Sequence, residues 1–160
     1  MSIFNAAEIV DIGIEKEKKR RDFYGMVAEL FKEEKEMNGL FTKLRDWEVA
    51  HIEKFTEIRN RLQEYETFES YEGELEAYMT SLVDEKLYSV VTPSVFAKKV
   101  KKPVDALMIG MSFEKDAILF FGELLPNMAP ANRDSVQQLI DEEKKHLIYL
   151  YQLKQKYEAK

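Results

Sequence analysis

The sequence predicts an all-α protein, a four-helix bundle with one long crossover between its second and third helices. Three observations predict it. Apolar residues recur three and four apart through four long segments, and no stretch of any length alternates as a strand would. Only six glycines and four prolines occur in 160 residues, which suits a helix-rich chain with few turns. Two short connections flank one long one, so that each helix pair stays antiparallel while the long connection runs the length of the bundle. The expected organisation is one domain over 1–160, with a helix pair at about 5–66, a crossover at about 67–101 and a second pair at about 102–158.

The first helix is expected to start at Asn5, which stands in capping-box spacing with Glu8. Val10, Ile14, Tyr24, Ala28 and Phe31 form its apolar stripe, and Glu17 falls on that stripe. Lys16, Lys18, Lys19, Arg20 and Arg21 surround Glu17 and read as a solvated outer face. The second helix carries Phe41, Leu44, Glu48, His51, Phe55, Ile58 and Leu62. Residues 67–91 are mixed, and Tyr71, Leu75, Tyr78, Met79 and Leu82 suggest a short helix there. Thr92-Pro93 reads as an N-cap with proline at the first helical position, opening a brief helix to about Val100. The third long helix begins near Pro103 and runs through Leu107, Met111, Glu114, Ile118, Phe121 and Leu125. After the break at residues 126–130, the fourth carries Val136, Leu139, Ile140, Glu143, His146, Leu147, Leu150 and Tyr157.

The chain has two histidines, His51 and His146, and a glutamate precedes each by three residues, Glu48 and Glu143. Residues three apart stack on one helix face, where a carboxylate and an imidazole can close on one ion. The two halves repeat each other. Glu17 precedes Tyr24 by seven, as Glu114 precedes Phe121. The offset between halves is 97 for the lone glutamates and 95 for both Glu-x-x-His elements. Each half is thus a helix pair with one glutamate on its first helix and Glu-x-x-His on its second. Bringing Glu114 level with Glu143 and His146 requires a turn near residue 129, where the break lies. The same reasoning puts the first turn at 32–37, with Asn38 and Gly39 in or near the first turn of the second helix.

Four glutamates and two histidines on inward stripes are costly to bury without a cation. Two divalent ions would neutralise the four carboxylates. Glu48 and Glu143 are placed to bridge the ions, His51 and His146 to cap one each, and Glu17 and Glu114 to complete the set. Glu15, Asp141 and Glu142 compete for these places but break the repeat's spacing. Carboxylate with imidazole suits iron, with manganese or a mixed pair as the other options. Open coordination positions and two one-electron metals favour redox chemistry over hydrolysis, and no catalytic residue beyond the ligands is required.

These residues resemble the ferritin-like superfamily of di-iron carboxylate proteins, and most closely its rubrerythrin branch. The likeness covers essentially the whole chain and extends to the texture around Gly110-Met111-Ser112-Phe113-Glu114. It implies a di-iron centre held by Glu17, Glu48, His51, Glu114, Glu143 and His146, with Tyr24 beside it as a hydrogen-bond donor to a ligating carboxylate. Members of the family reduce hydrogen peroxide, oxidise ferrous iron or store iron. Rubrerythrins also carry a cysteine-ligated rubredoxin-like domain and a further glutamate one turn after the third-helix ligand. This chain has no cysteine, and Ala117 stands at that glutamate's position. The six-ligand set is equally like bacterioferritin ferroxidase sites. The resemblance implies reduction of peroxide or dioxygen with electrons from a separate donor, such as a rubredoxin or flavoprotein, in a homodimer. Iron handling by a ferroxidase is the alternative, and a helical interaction module with a structural metal site is the third reading.

A formal charge of −6 argues against nucleic acid or an anionic membrane as partner. No run approaches the length of a membrane span. The opening residues lack the basic start and apolar run of a signal peptide, which predicts a cytoplasmic protein.

Overall fold

A computed structural model describes residues 6–62, 77, 81 and 86–160. Four long helices make the bundle: α1 (Ala6–Leu30), α2 (Lys35–Arg61), α4 (Pro103–Leu124) and α5 (Pro130–Glu158). Between the pairs lie a 3-10 turn over Lys86–Val91 and a short helix, α3 (Pro93–Lys99). No strand occurs among the described residues. The expected helix start at Asn5 and the short helix suggested by Tyr71 to Leu82 lie outside the described residues.

Two apolar clusters divide the core. At one end Val10 and Ile14 of α1 meet Phe55 and Ile58 of α2, Phe120, Phe121 and Leu124 of α4, and Val136 and Leu139 of α5. At the other end Tyr24, Val27 and Phe31 meet Phe41 and Leu44, Ala106, Leu107 and Phe113, and Leu150 and Leu153. The late turns of α2 therefore lie with the late turns of α4, and the early turns with the early ones. The helices α2 and α4 run parallel, which requires the crossover. Tyr88, Val90, Phe96 and Val100 seal the second cluster from the crossover side. The chain thus buries carboxylates and imidazoles in a band between two dry ends.

The turns fall where the register of the glutamates requires. Helix α1 ends at Leu30 and α2 begins at Lys35. Asn38-Gly39 is not the turn. Asn38 sits in the first turn of α2, and its Nδ2 donates to the carbonyl of Ala28, 3.0 Å away, tying the two helices together. Helix α4 gives way to a 3-10 turn at Leu125–Asn127, and Pro130 opens α5. Thr92 precedes α3 as expected, although its side chain makes no capping bond.

The basic run on α1 departs from its expected solvated face. Lys18 and Lys19 do point outward, but Lys16 and Arg20 are buried. Arg20 is fully enclosed, and Lys16 pairs with Asp116 of α4 at 2.9 Å. Lys16 is repaid by a carboxylate on another helix, whereas Arg20 pairs most closely with Glu17, one turn away on its own helix.

Phe55 is fully buried and stacks on Phe121, ring centroids 4.5 Å apart. Phe55→Ala should cost about 3–5 kcal/mol of stability through the cavity it leaves, measured by chemical unfolding of the metal-free protein.

Candidate metal centre

The bundle brings all six chemistry-bearing side chains to one depth. Glu17, Glu48, Glu114 and Glu143 are fully buried, and His51 and His146 nearly so. They form two overlapping groups of four, Glu17–Glu48–His51–Glu143 and Glu48–Glu114–Glu143–His146, each offering ligand atoms within 4.8 Å of one another. Glu48 and Glu143 belong to both groups. That overlap is the geometry of two adjacent cation positions with two shared carboxylates.

Both imidazoles turn Nδ1 inward. His51 Nδ1 lies 3.1 Å from Glu143 and 3.9 Å from both Glu17 and Glu48. His146 Nδ1 lies 2.9 Å from Glu143, 3.7 Å from Glu114 and 3.8 Å from Glu48. The rings stack on each other, centroids 5.4 Å apart. On its outer side His51 Nε2 meets Glu142 at 2.8 Å. Glu142, which the repeat's spacing excluded from the ligand set, thus orients the histidine of the opposite half. Glu15 and Asp141 are exposed.

Several acidic oxygens lack the partners that burial demands. Both oxygens of Glu48 and of Glu17, and one of Glu114, make no hydrogen bond. Arg20 Nη2 does approach Glu17 to 2.6 Å, but as an ion pair off the hydrogen-bond line. Tyr24 donates to the other Glu114 oxygen at 2.5 Å. A buried carboxylate whose two oxygens make no hydrogen bond is the arrangement that a bound cation resolves.

Proton affinities reflect the same crowding. Burial pushes Glu17 up to about 7, against the opposing pull of Arg20. Burial and then the neighbouring Glu143 carboxylate push Glu114 up to about 8. Glu143 is held well below its usual value, because hydrogen bonds from His146 and His51 outweigh its burial. Burial disfavours both imidazolium ions, yet the carboxylates facing them raise His51 to about 9 and His146 to about 10.

Other neighbours escaped the sequence reading. Trp47 stacks flat on His146, centroids 4.8 Å apart and planes 8° from parallel. Arg20 Nη1 donates to Tyr88 (2.6 Å), and Tyr88 donates to Asp116 (2.6 Å). Arg20 could have been found, since it lies on the stripe of Glu17 and Tyr24. Tyr88 and Asp116 carry no local signal. A cleft of about 360 Å³, lined by Trp47, Ala50, His51, Glu142, Lys145, His146 and Tyr149, opens on the histidine side.

No described helix is long and apolar enough to cross a membrane. Comparison with family models and with curated proteins finds no match. Among solved structures, the chain is similar to a Thermotoga maritima protein described provisionally as a ferritin-like diiron-carboxylate protein. The two are 22% identical, the match covers 97% of each chain, and the TM-score is 0.72. At that identity the likeness is one of architecture, and the chain has the ferritin-like fold.

Proposed function

We propose that this chain is a di-iron carboxylate redox protein that reduces hydrogen peroxide or dioxygen with electrons from a separate donor. The observation that carries the reading is Glu48, fully buried, without a hydrogen bond at either oxygen and common to both four-donor groups. Glu17, Glu48, His51, Glu114, Glu143 and His146 would hold the ions, iron by the chemistry of the donor set and manganese as the alternative. When bound, two irons supply the paired one-electron changes that O–O cleavage takes. The protein's own part is positioning. Tyr24 fixes Glu114, Glu142 orients His51, and the apolar clusters keep water from both ends of the band. The cleft beside the histidines gives a small oxidant its approach. A rubredoxin or flavoprotein as donor and a cytoplasmic homodimer belong to the same reading and rest on the family resemblance.

Iron handling by a ferroxidase is the second reading. The partly exposed Glu142 carboxylate at the cleft, 2.8 Å from His51, favours it by offering cations a route inward.

Anaerobic loading with ferrous iron, followed by pulses of peroxide or dioxygen and read by near-ultraviolet absorbance, separates them. Fast oxidation by peroxide, repeated each time an added reductant such as dithionite returns the irons to the ferrous state, supports reduction. Oxidation that consumes added ferrous iron with dioxygen supports iron handling. Less than about one metal per chain after aerobic purification from iron-supplemented medium would leave a helical interaction module. Trp47 is the sole tryptophan and stacks on His146. Its fluorescence should therefore be quenched saturably by iron, with unchanged emission counting against an ion at His146.

A further inference from the structure

The two halves are not electrostatically equivalent, and the difference lies in the partners of Glu17 and Glu114. With the offset of 97 between their helices, Tyr24 corresponds to Phe121 and Arg20 to Ala117. Glycines repeat at the same offset, Gly13 lying against Phe121 and Gly110 against Tyr24. Glu114 therefore receives a neutral phenol from Tyr24. The equivalent ring facing the Glu17 side is Phe121, which has no hydroxyl to give. The guanidinium of Arg20 lies against that ring, 5.8 Å from its centroid, and brings Nη2 to 2.6 Å from Glu17 and Nε to 3.7 Å from Glu48. Arg20 cannot swing away readily, because Nη1 donates to Tyr88, which in turn donates to Asp116. Asp116 is itself paired with Lys16.

We infer that Arg20 is a positioning residue that makes the cation position at Glu17 and His51 the weaker and exchangeable one of the pair. The inference rests on the two-ion reading above. A fixed positive charge beside Glu17 repels an incoming cation and competes for the carboxylate. At the Glu114 and His146 position the glutamate takes the neutral Tyr24 hydroxyl, and Arg20 lies closer to Glu17 (2.6 Å) than to the shared Glu48 (3.7 Å). At separations of about 5 Å and an effective dielectric of about 20, one unit charge is enough to separate the affinities by at least about tenfold.

The test is titration of the metal-free protein with cobalt(II), followed by calorimetry and visible absorbance. Two steps should appear, the second at least about tenfold weaker. His51→Ala should remove the weak step and spare the tight one, whereas His146→Ala should remove the tight step. Arg20→Met should strengthen the weak step by about tenfold or more, and Arg20→Lys, which keeps the charge, should leave it weak. Two equal steps, or loss of the tight step in His51→Ala, would overturn the inference and leave two-ion binding standing. An Arg20→Met protein with an unchanged weak step would do the same. If Arg20→Met does not fold, the two histidine variants still decide the order of loading. Absence of any cobalt binding would sink both the inference and the two-ion reading.

Discussion

Glu48→Gln should abolish loading at both ion positions and at the same time raise the melting temperature of the metal-free protein. The two effects share one cause. Glu48 is fully buried with no hydrogen bond to either oxygen, and it belongs to both groups of donors. Without a metal ion its oxygens are buried with no hydrogen bond, and each buried unsatisfied polar atom costs about 1–3 kcal/mol. Glutamine keeps the shape, removes the charge and supplies an amide that can donate to the surrounding carboxylates. A gain of about 2–6 °C in the metal-free protein follows for a domain of this size. The same change deletes the carboxylate that two adjacent ions would share, so iron per chain after reconstitution should fall to near zero. Metal analysis and differential scanning calorimetry on the same preparations check both halves. A variant that loads normally would refute a shared role for Glu48, and one that loses metal and stability together would point to simple misfolding.

The second large effect is the pH dependence of the metal-free protein, whose melting temperature should fall as pH rises from about 7 to about 10. Four groups hold protons more tightly in the folded chain than their ordinary values allow. Glu17 is raised from 4.5 to about 7, Glu114 from 4.5 to about 8, His51 from 6.5 to about 9, and His146 from 6.5 to about 10. The folded state therefore binds more protons than the unfolded state from about 4.5 up to about 10. The part due to Glu17 is spent by about 7 and that due to Glu114 by about 8, so the decline from 7 to 10 is carried mainly by His51 and His146. The histidine contribution is fully present below the unfolded value of 6.5 and is lost as pH passes the folded values. The two raised glutamates act in the same direction, because deprotonation strands their charge in the core. Glu143, held below its ordinary value, is ionised throughout the window and does not affect the slope. Bound metal ions displace these protons, so the loaded protein should show a nearly flat profile and an affinity that rises with pH. A drop of about 5 °C or more in the metal-free protein, absent after loading, is the expected result. Equal slopes with and without metal would place the titrating groups outside the metal centre.

The donor register was legible because it is local. The glutamate-to-histidine spacing of three, the seven residues from Glu17 to Tyr24 and the break before Pro130 follow from helical periodicity and turn chemistry. Even the first turn, where Asn38-Gly39 is the stronger local signal, was located better by asking where Glu17 must face Glu48. The surroundings of the centre were not legible in the same way. Arg20 was read with its basic neighbours as solvated, although it shares a stripe with Glu17. It is held inward by Glu17 one turn before it and by Tyr88 on the crossover, 68 residues away in sequence, which is itself bonded to Asp116 on α4. Glu142 breaks the repeat's spacing, and its contact with His51 spans 91 residues.

The sequence by itself determined the all-α class, the positions of the four helices and the set of six groups on their inward faces, because each depends on intervals within one helix or one turn. Only the tertiary structure decided what surrounds those groups: Trp47 on His146, Glu142 on His51, and a buried arginine on one side with a phenol on the other. The reason is physical. Periodicity states which face of a helix is inward, whereas the partner met there is set by the packing of segments far apart in the chain, and in this bundle that partner makes two repeated halves unequal.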